Sequence, residues 1–111
     1  MARILLSEAD PDVRRLLVLL LERLGHEVAV LDGSEPTASG DLLLLEPASP
    51  HGVRQARRLR ADDPGLPILC VSILPDEARP LALGPLSYLA KPFALAELRT
   101  AVDRALLLEA A

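Results

Sequence analysis

Short apolar runs alternate along this chain with longer stretches in which apolar residues recur at helical spacing. Arg3–Ser7 reads as a buried first strand ending in polar residues. Asp10-Pro11 opens a helix, with a capping acceptor followed by proline at the first helical position. Val13, Leu16, Leu17, Leu20, Leu21 and Leu24 form its inner stripe, and Gly25 ends it. Val28–Leu31 and Leu42–Leu45 are the second and third strands, the latter introduced by Asp41. A helix from about His51 to Ala61 turns Val53, Ala56, Leu59 and the stem of Arg60 inward, and Asp63-Pro64-Gly65 breaks it. Pro67 introduces a fourth strand, Ile68–Ser72. Asp76–Leu83 has room for about two helical turns, with Pro80 tolerable only near the first turn. Leu86–Ala90 is a fifth strand. The last helix, Ala94–Leu108, points Leu95, Leu98, Ala101, Val102 and Ala105 inward and keeps Arg99 and Asp103 on the wet side.

Short apolar strands between helices imply a parallel sheet covered on both faces. Right-handed crossovers favour a doubly wound α/β sheet of five strands in the order 2-1-3-4-5. One link is thin. Gly33–Gly40, broken by Gly33, Pro36 and Gly40, is all that joins the second and third strands. A parallel crossover normally takes a dozen or more residues. This connection is therefore expected to be a turn or loop, leaving the second helix reduced or absent and one sheet face thinner there, while the two turns available to Asp76–Leu83 make the fourth helix short.

The 111 residues make one domain with no room for an output domain. Leucine fills 26 positions and alanine 16, while Tyr88 and Phe93 are the two aromatics, so the core must be aliphatic. The longest unbroken apolar run, Leu16 to Leu21, is six residues, far below the ~18 of a membrane span. Ser7 and Glu8 interrupt the N-terminal apolar stretch too early for a secretory signal. Cys70 has no partner for a disulfide or zinc site, which fits a reducing cytoplasm. A net charge of −4 gives no general attraction to nucleic acid or anionic membranes. Eleven of the twelve basic residues are arginine, so Lys91, the single lysine, asks for a reason.

In such sheets chemistry collects at the carboxyl ends of the strands. Strand one ends at Ser7-Glu8-Ala9-Asp10, strand three at Glu46, strand four at Ser72 and strand five at Lys91-Pro92-Phe93. Carboxylates, a hydroxyl and the sole lysine thus share one rim. That set suits phosphoryl chemistry, in which carboxylates hold a cation and an amine balances charge.

Over essentially its whole length the chain resembles a response-regulator receiver domain, the phosphoryl-accepting module of two-component signalling. The likeness rests on Ile4–Arg14, Leu21–Val28, Asp41–Leu45, Arg58–Ala61 and Pro67-Ile68. The most specific segment is Tyr88-Leu89-Ala90-Lys91-Pro92-Phe93, with lysine-proline after the fifth strand. The resemblance implies a flavodoxin-like fold. It places Glu46 at the phosphoacceptor position, Glu8 and Asp10 in the acidic pocket, Ser72 and Tyr88 at the switch positions, and Lys91 as the charge partner.

The departures reshape that inference. Receivers carry an aspartate where this chain has Glu46, and of their paired acids after strand one the second is Ala9 here. Magnesium is held by few protein carboxylates, so the loss of one weakens the site severely, and magnesium binding is expected to be weak or absent, with no metal site assigned. Without the metal a transferring phosphoryl group lacks its main neutraliser. Glutamate also sets its carboxylate one methylene farther out, and displacements near 1 Å cost about 100-fold. Glu46 can instead pair with Lys91 and accept a hydrogen bond from Ser72, partially mimicking a phosphorylated site with Tyr88 packed inward. The simpler reading is a structural ion pair.

Other features have plain explanations. Asp10 is a helix cap before it is a ligand. Arg54, Arg57, Arg58 and Arg60 surround a short helix without interleaved aromatics and read as a solvated surface. His26 and His51 lack metal-like partners, and Cys70 fills the core. Ser72 has no nucleophile-elbow pattern, and no glycine-rich turn follows strand one to hold a nucleotide. Val18, Leu19 and Leu106 to Leu108 fall outside the inner stripes and mark a sheet cover, a homodimer contact or a partner-protein contact. The resemblance and its departures together imply a stand-alone, non-enzymatic receiver of atypical site chemistry, expected to act through a protein partner. The alternative is a conventional phosphorelay receiver, phosphorylated weakly at the acidic rim.

Overall fold

The computed structural model describes residues 2–31, 39–48, 50–73 and 87–110. In chain order the elements are β1 (Arg3–Ser7), α1 (Pro11–Arg23), β2 (Glu27–Val30), β3 (Leu42–Leu45), α2 (Pro50–Asp62), β4 (Ile68–Ser72), β5 (Ser87–Ala90) and α3 (Leu95–Ala110). All four strand pairings are parallel, and the sheet order is β2-β1-β3-β4-β5, as the alternation of runs implies. β2 begins and ends one residue earlier than its apolar pattern suggests, because the Glu27 amide pairs with the carbonyl of Ala2. The short helix expected at Asp76–Leu83 lies outside the described residues, as does most of the link between β2 and β3.

Side chains alternate across the sheet with the period of two that strands impose. Ile4, Leu6, Leu42, Leu44, Leu69 and Val71 face α1 and α3, meeting Leu17, Leu21, Leu98, Val102 and Ala105. Leu5, Leu43, Leu45, Ile68 and Cys70 face the other way, onto Val53, Ala56 and Leu59 of α2. Among the described residues α2 is the one helix on that side. β1, β3 and β4 are buried on both faces, which is why their sequences run apolar without alternation.

α1 starts and stops as its sequence dictates. Asp10 accepts hydrogen bonds from the amides of Asp12 (2.9 Å) and Val13 (3.3 Å), and Pro11 takes the first helical position. At the other end Gly25 adopts φ +92°, and the amides of Gly25 and His26 bond the carbonyls of Glu22 and Leu21. This is the paired closure that favours glycine just past a helix. His26 is half-buried, and its Nδ1 accepts the Ala2 amide at 3.1 Å.

The inner stripes need three corrections. Leu16 and Leu95, expected inward, are 51% and 38% exposed, whereas Val18, expected off the stripe, packs partly against the core. Leu17 and Leu21 alone seat deeply on α1, since its contact with the sheet is narrower than six leucine and valine positions require. Gln55, whose spacing on α2 gave no sign of burial, is buried.

Candidate functional site

The sheet register sets the site. Ser7 pairs with Leu45, so Glu8 and Glu46 leave neighbouring strands at the same height. The Glu46 amide donates to the Ser7 carbonyl at 2.9 Å and fixes that height. On the next two strands, Ser72 of β4 pairs with Ala90 of β5, and the Lys91 amide donates to the Ser72 carbonyl at 2.9 Å. The Lys91–Pro92 peptide bond is cis. β1 and β5 are three strand spacings apart, about 14 Å. The three side chains therefore converge over the carboxyl ends of β3 and β4.

They meet closely. Lys91 Nζ donates to Glu8 Oε1 at 2.6 Å and to Glu46 Oε2 at 2.9 Å. The Glu8, Glu46 and Lys91 side chains are 4%, 12% and 19% exposed, so water screens these contacts little. The second oxygen of each carboxylate is also engaged. Glu46 Oε1 accepts the Ala48 amide at 3.0 Å, and Glu8 Oε2 accepts the Asp10 amide at 3.4 Å. Arg14 Nη1 donates to the Glu8 carbonyl at 3.4 Å, a neighbour that no sequence signal announced. Two carboxylates and one ammonium leave a single net negative charge.

Burial by itself would pull the Lys91 ammonium down. The hydrogen bonds to Glu8 and Glu46, together with their charges, outweigh it and hold Lys91 above the usual lysine range. Beneath the pocket, burial and the Glu46 carboxylate push the Cys70 thiol up to about 11, against a smaller opposite pull from Arg60. Cys70 is an inert core thiol.

The expected site residues thus separate. Glu8, Glu46 and Lys91 come together. Asp10 does not join them through its carboxylate, which is exposed and occupied in capping α1; only its amide touches the pocket. Ser72 is buried beside the site, but among the described residues Glu46 takes its side-chain hydrogen bonds from Lys91 and Ala48, not from the Ser72 hydroxyl. Tyr88 is half-buried and packs against the α2-side core next to Cys70.

A receiver-like rim implies a magnesium ion, and here an ammonium already lies between the two carboxylates that would hold it. Magnesium needs near-octahedral oxygen ligands at about 2.1 Å. Here one oxygen of each glutamate already receives an ammonium N–H, the Asp10 carboxylate serves the helix, and Ala9 has no donor side chain. Among the described residues no three His, Cys, Asp or Glu side chains gather to hold a metal. No helix among them is long and apolar enough to cross a membrane.

A five-stranded parallel sheet in this order, with its charged residues at the strand ends, defines a flavodoxin-like α/β module. No family model matches the chain. Individual proteins do. The response regulator receiver protein CpdR of Brucella abortus is 35% identical over 124 residues, covering 96% of this chain and 98% of that protein. The DNA-binding transcriptional regulator NtrC of Azospirillum brasilense is 32% identical, and this chain spans 24% of its length. The chemotaxis protein CheY4 of Vibrio cholerae superimposes with a TM-score of 0.80 at 23% identity, covering 95% of this chain and 98% of that one. The chain belongs to the response-regulator receiver family of two-component signalling.

Proposed function

We propose that this receiver signals by protein–protein contact without accepting a phosphoryl group, Glu46 standing where the family carries its aspartate. The observation that carries the reading is the Lys91 ammonium, bonded at once to Glu8 at 2.6 Å and Glu46 at 2.9 Å. A phosphoryl acceptor needs a free, precisely placed carboxylate oxygen and a cation to neutralise the transferring group. Lys91 bonds one oxygen of Glu46 and one of Glu8, the Ala48 amide bonds the other of Glu46, so neither Glu46 oxygen is without a hydrogen bond, and the Ala9 side chain has no donor atom for a metal.

The ion pair acts as a strut. It ties the ends of β1, β3 and β5 into one rigid rim from within the chain. The missing Ser72 hydrogen bond favours this structural role over mimicry of a phosphorylated state. Function then resides in the shape the rim supports and in the protein surface around it, in the cytoplasm and without a nucleic-acid or membrane partner.

Incubation with a small phosphodonor and magnesium, followed by intact-mass measurement, tests the proposal. The expected mass is unchanged. A phosphoryl adduct mapped to Glu46 or another rim acid would overturn it.

A further inference from the structure

The outer face of α1 carries a pattern that the pocket does not use. Leu16 and Leu19 are 51% and 55% exposed, among the most open large apolar side chains described. Asp12 and Arg23, both exposed, flank them. At 3.6 residues per turn, Asp12, Leu16, Leu19 and Arg23 fall within an arc of about 60°, roughly 150° from the buried Leu17 and Leu21. The stripe is thus centred on the side of the helix away from the sheet, where a lone domain needs no leucine.

The order along the stripe is acid, leucine, leucine, base, at spacings of four, three and four. It is symmetric about its own midpoint. When a second α1 is laid antiparallel across it by a two-fold rotation, Asp12 meets the other copy's Arg23 and Leu16 meets its Leu19. Both charge pairs then join opposite signs, and the two leucine pairs close between them. A two-fold contact requires such self-complementarity, and most surface stripes lack it. Asp12 and Arg23 also suit the dipole of their own helix, but that role does not call for the exposed leucines between them.

We infer that the outer face of α1 is a self-association surface, and that its occupant is a second copy of this chain in antiparallel, two-fold pairing. A single helix pair buries little surface, below about 1,200 Å² in total, so the dimer is weak and reversible, with a Kd of about 0.1–1 mM. The pairing is independent of the pocket chemistry, and neither result decides the other.

Sedimentation of the full chain over a concentration series provides the test, with melting curves to confirm that each variant folds. The wild type is expected to shift from monomer to dimer. Asp12→Arg alone, or Arg23→Asp alone, sets like charges against each other in both contacts and weakens the dimer about tenfold or more. An equimolar mixture of those two variants restores opposite charges at both contacts, and a heterodimer forms. Leu16→Glu with Leu19→Glu abolishes association. A chain that stays monomeric to about 1 mM overturns the inference. So does a dimer indifferent to these changes, which would place the contact on another face, or failure of the mixed variants to associate.

Discussion

The ammonium of Lys91 and the carboxylate of Glu8 lie 83 positions apart in sequence and 2.6 Å apart in space. Removing one partner of a buried pair leaves the other charge without compensation. Lys91→Met would do more, since it also leaves Glu8 and Glu46 confronting each other. It is expected to lower stability by about 2–4 kcal/mol, the lower end reflecting the partial exposure of the lysine. Adding Glu46→Gln to Lys91→Met relieves the repulsion, so the double variant should be more stable than Lys91→Met alone. Urea unfolding of the wild type, both singles and the double measures the coupling.

Restoring the acids that receivers carry should restore the metal. Ala9 is exposed, so Ala9→Asp has room, and Glu46→Asp withdraws the carboxylate that Lys91 holds. The double variant is expected to melt at rising temperature as magnesium is added, gaining about 2.7 kcal/mol when the ion reaches 100 times its Kd. A flat response would mean that something other than the missing acids disables the site.

Alkali should weaken the fold in two steps of the same sign. The Cys70 thiol ionises at 9.0 when unfolded but is pushed up to about 11 in the fold, so stability falls across that interval as the unfolded chain alone gives up its proton. Lys91 is raised above its ordinary 10.5, so its contribution is intact below 10.5 and is lost as pH climbs through the higher folded value. Unfolding midpoints across this range should fall throughout. Cys70→Ala should delay the first decline, whatever its packing cost at lower pH.

Much of this architecture is legible in the residue pattern because leucine runs such as Leu42–Leu45 can be buried on two faces only as interior parallel strands. The lone lysine after β5 pointed to the site for a similar reason, since little else could balance two acids there. Leu16 was misleading. Periodicity shows that a residue suits a helix face but not how wide a stripe the sheet can cover, and here it covers Leu17 and Leu21 while leaving Leu16 in water. Asp10 illustrates a second limit: an acid beside a pocket and at a helix start can serve either, and two amides within 3.3 Å decide for the helix. The Arg14 and Ala48 contacts had no signal, because backbone-directed hydrogen bonds leave no constraint on residue spacing.

Gly40 marks a close approach. A Cβ there would lie 2.7 Å from Leu5 Cγ and 3.1 Å from the Arg3 carbonyl, against a core side chain and backbone with no room to retreat. Gly40→Ala is expected to cost about 1–3 kcal/mol by overpacking. Gly65→Ala, whose nearest neighbour is Asp63 Oδ1 at an ordinary 3.7 Å, serves as the control and should change stability little. Thermal melting of both variants separates a steric cost from a general loss of glycine.

The account stands on an ammonium doing within the chain what a divalent ion would otherwise do. Magnesium titration of the unaltered protein, followed by melting temperature, tests this most directly. The predicted result is a melting temperature that does not move from zero to millimolar magnesium. A saturable rise with added ion, abolished by Glu8→Gln, would contradict it.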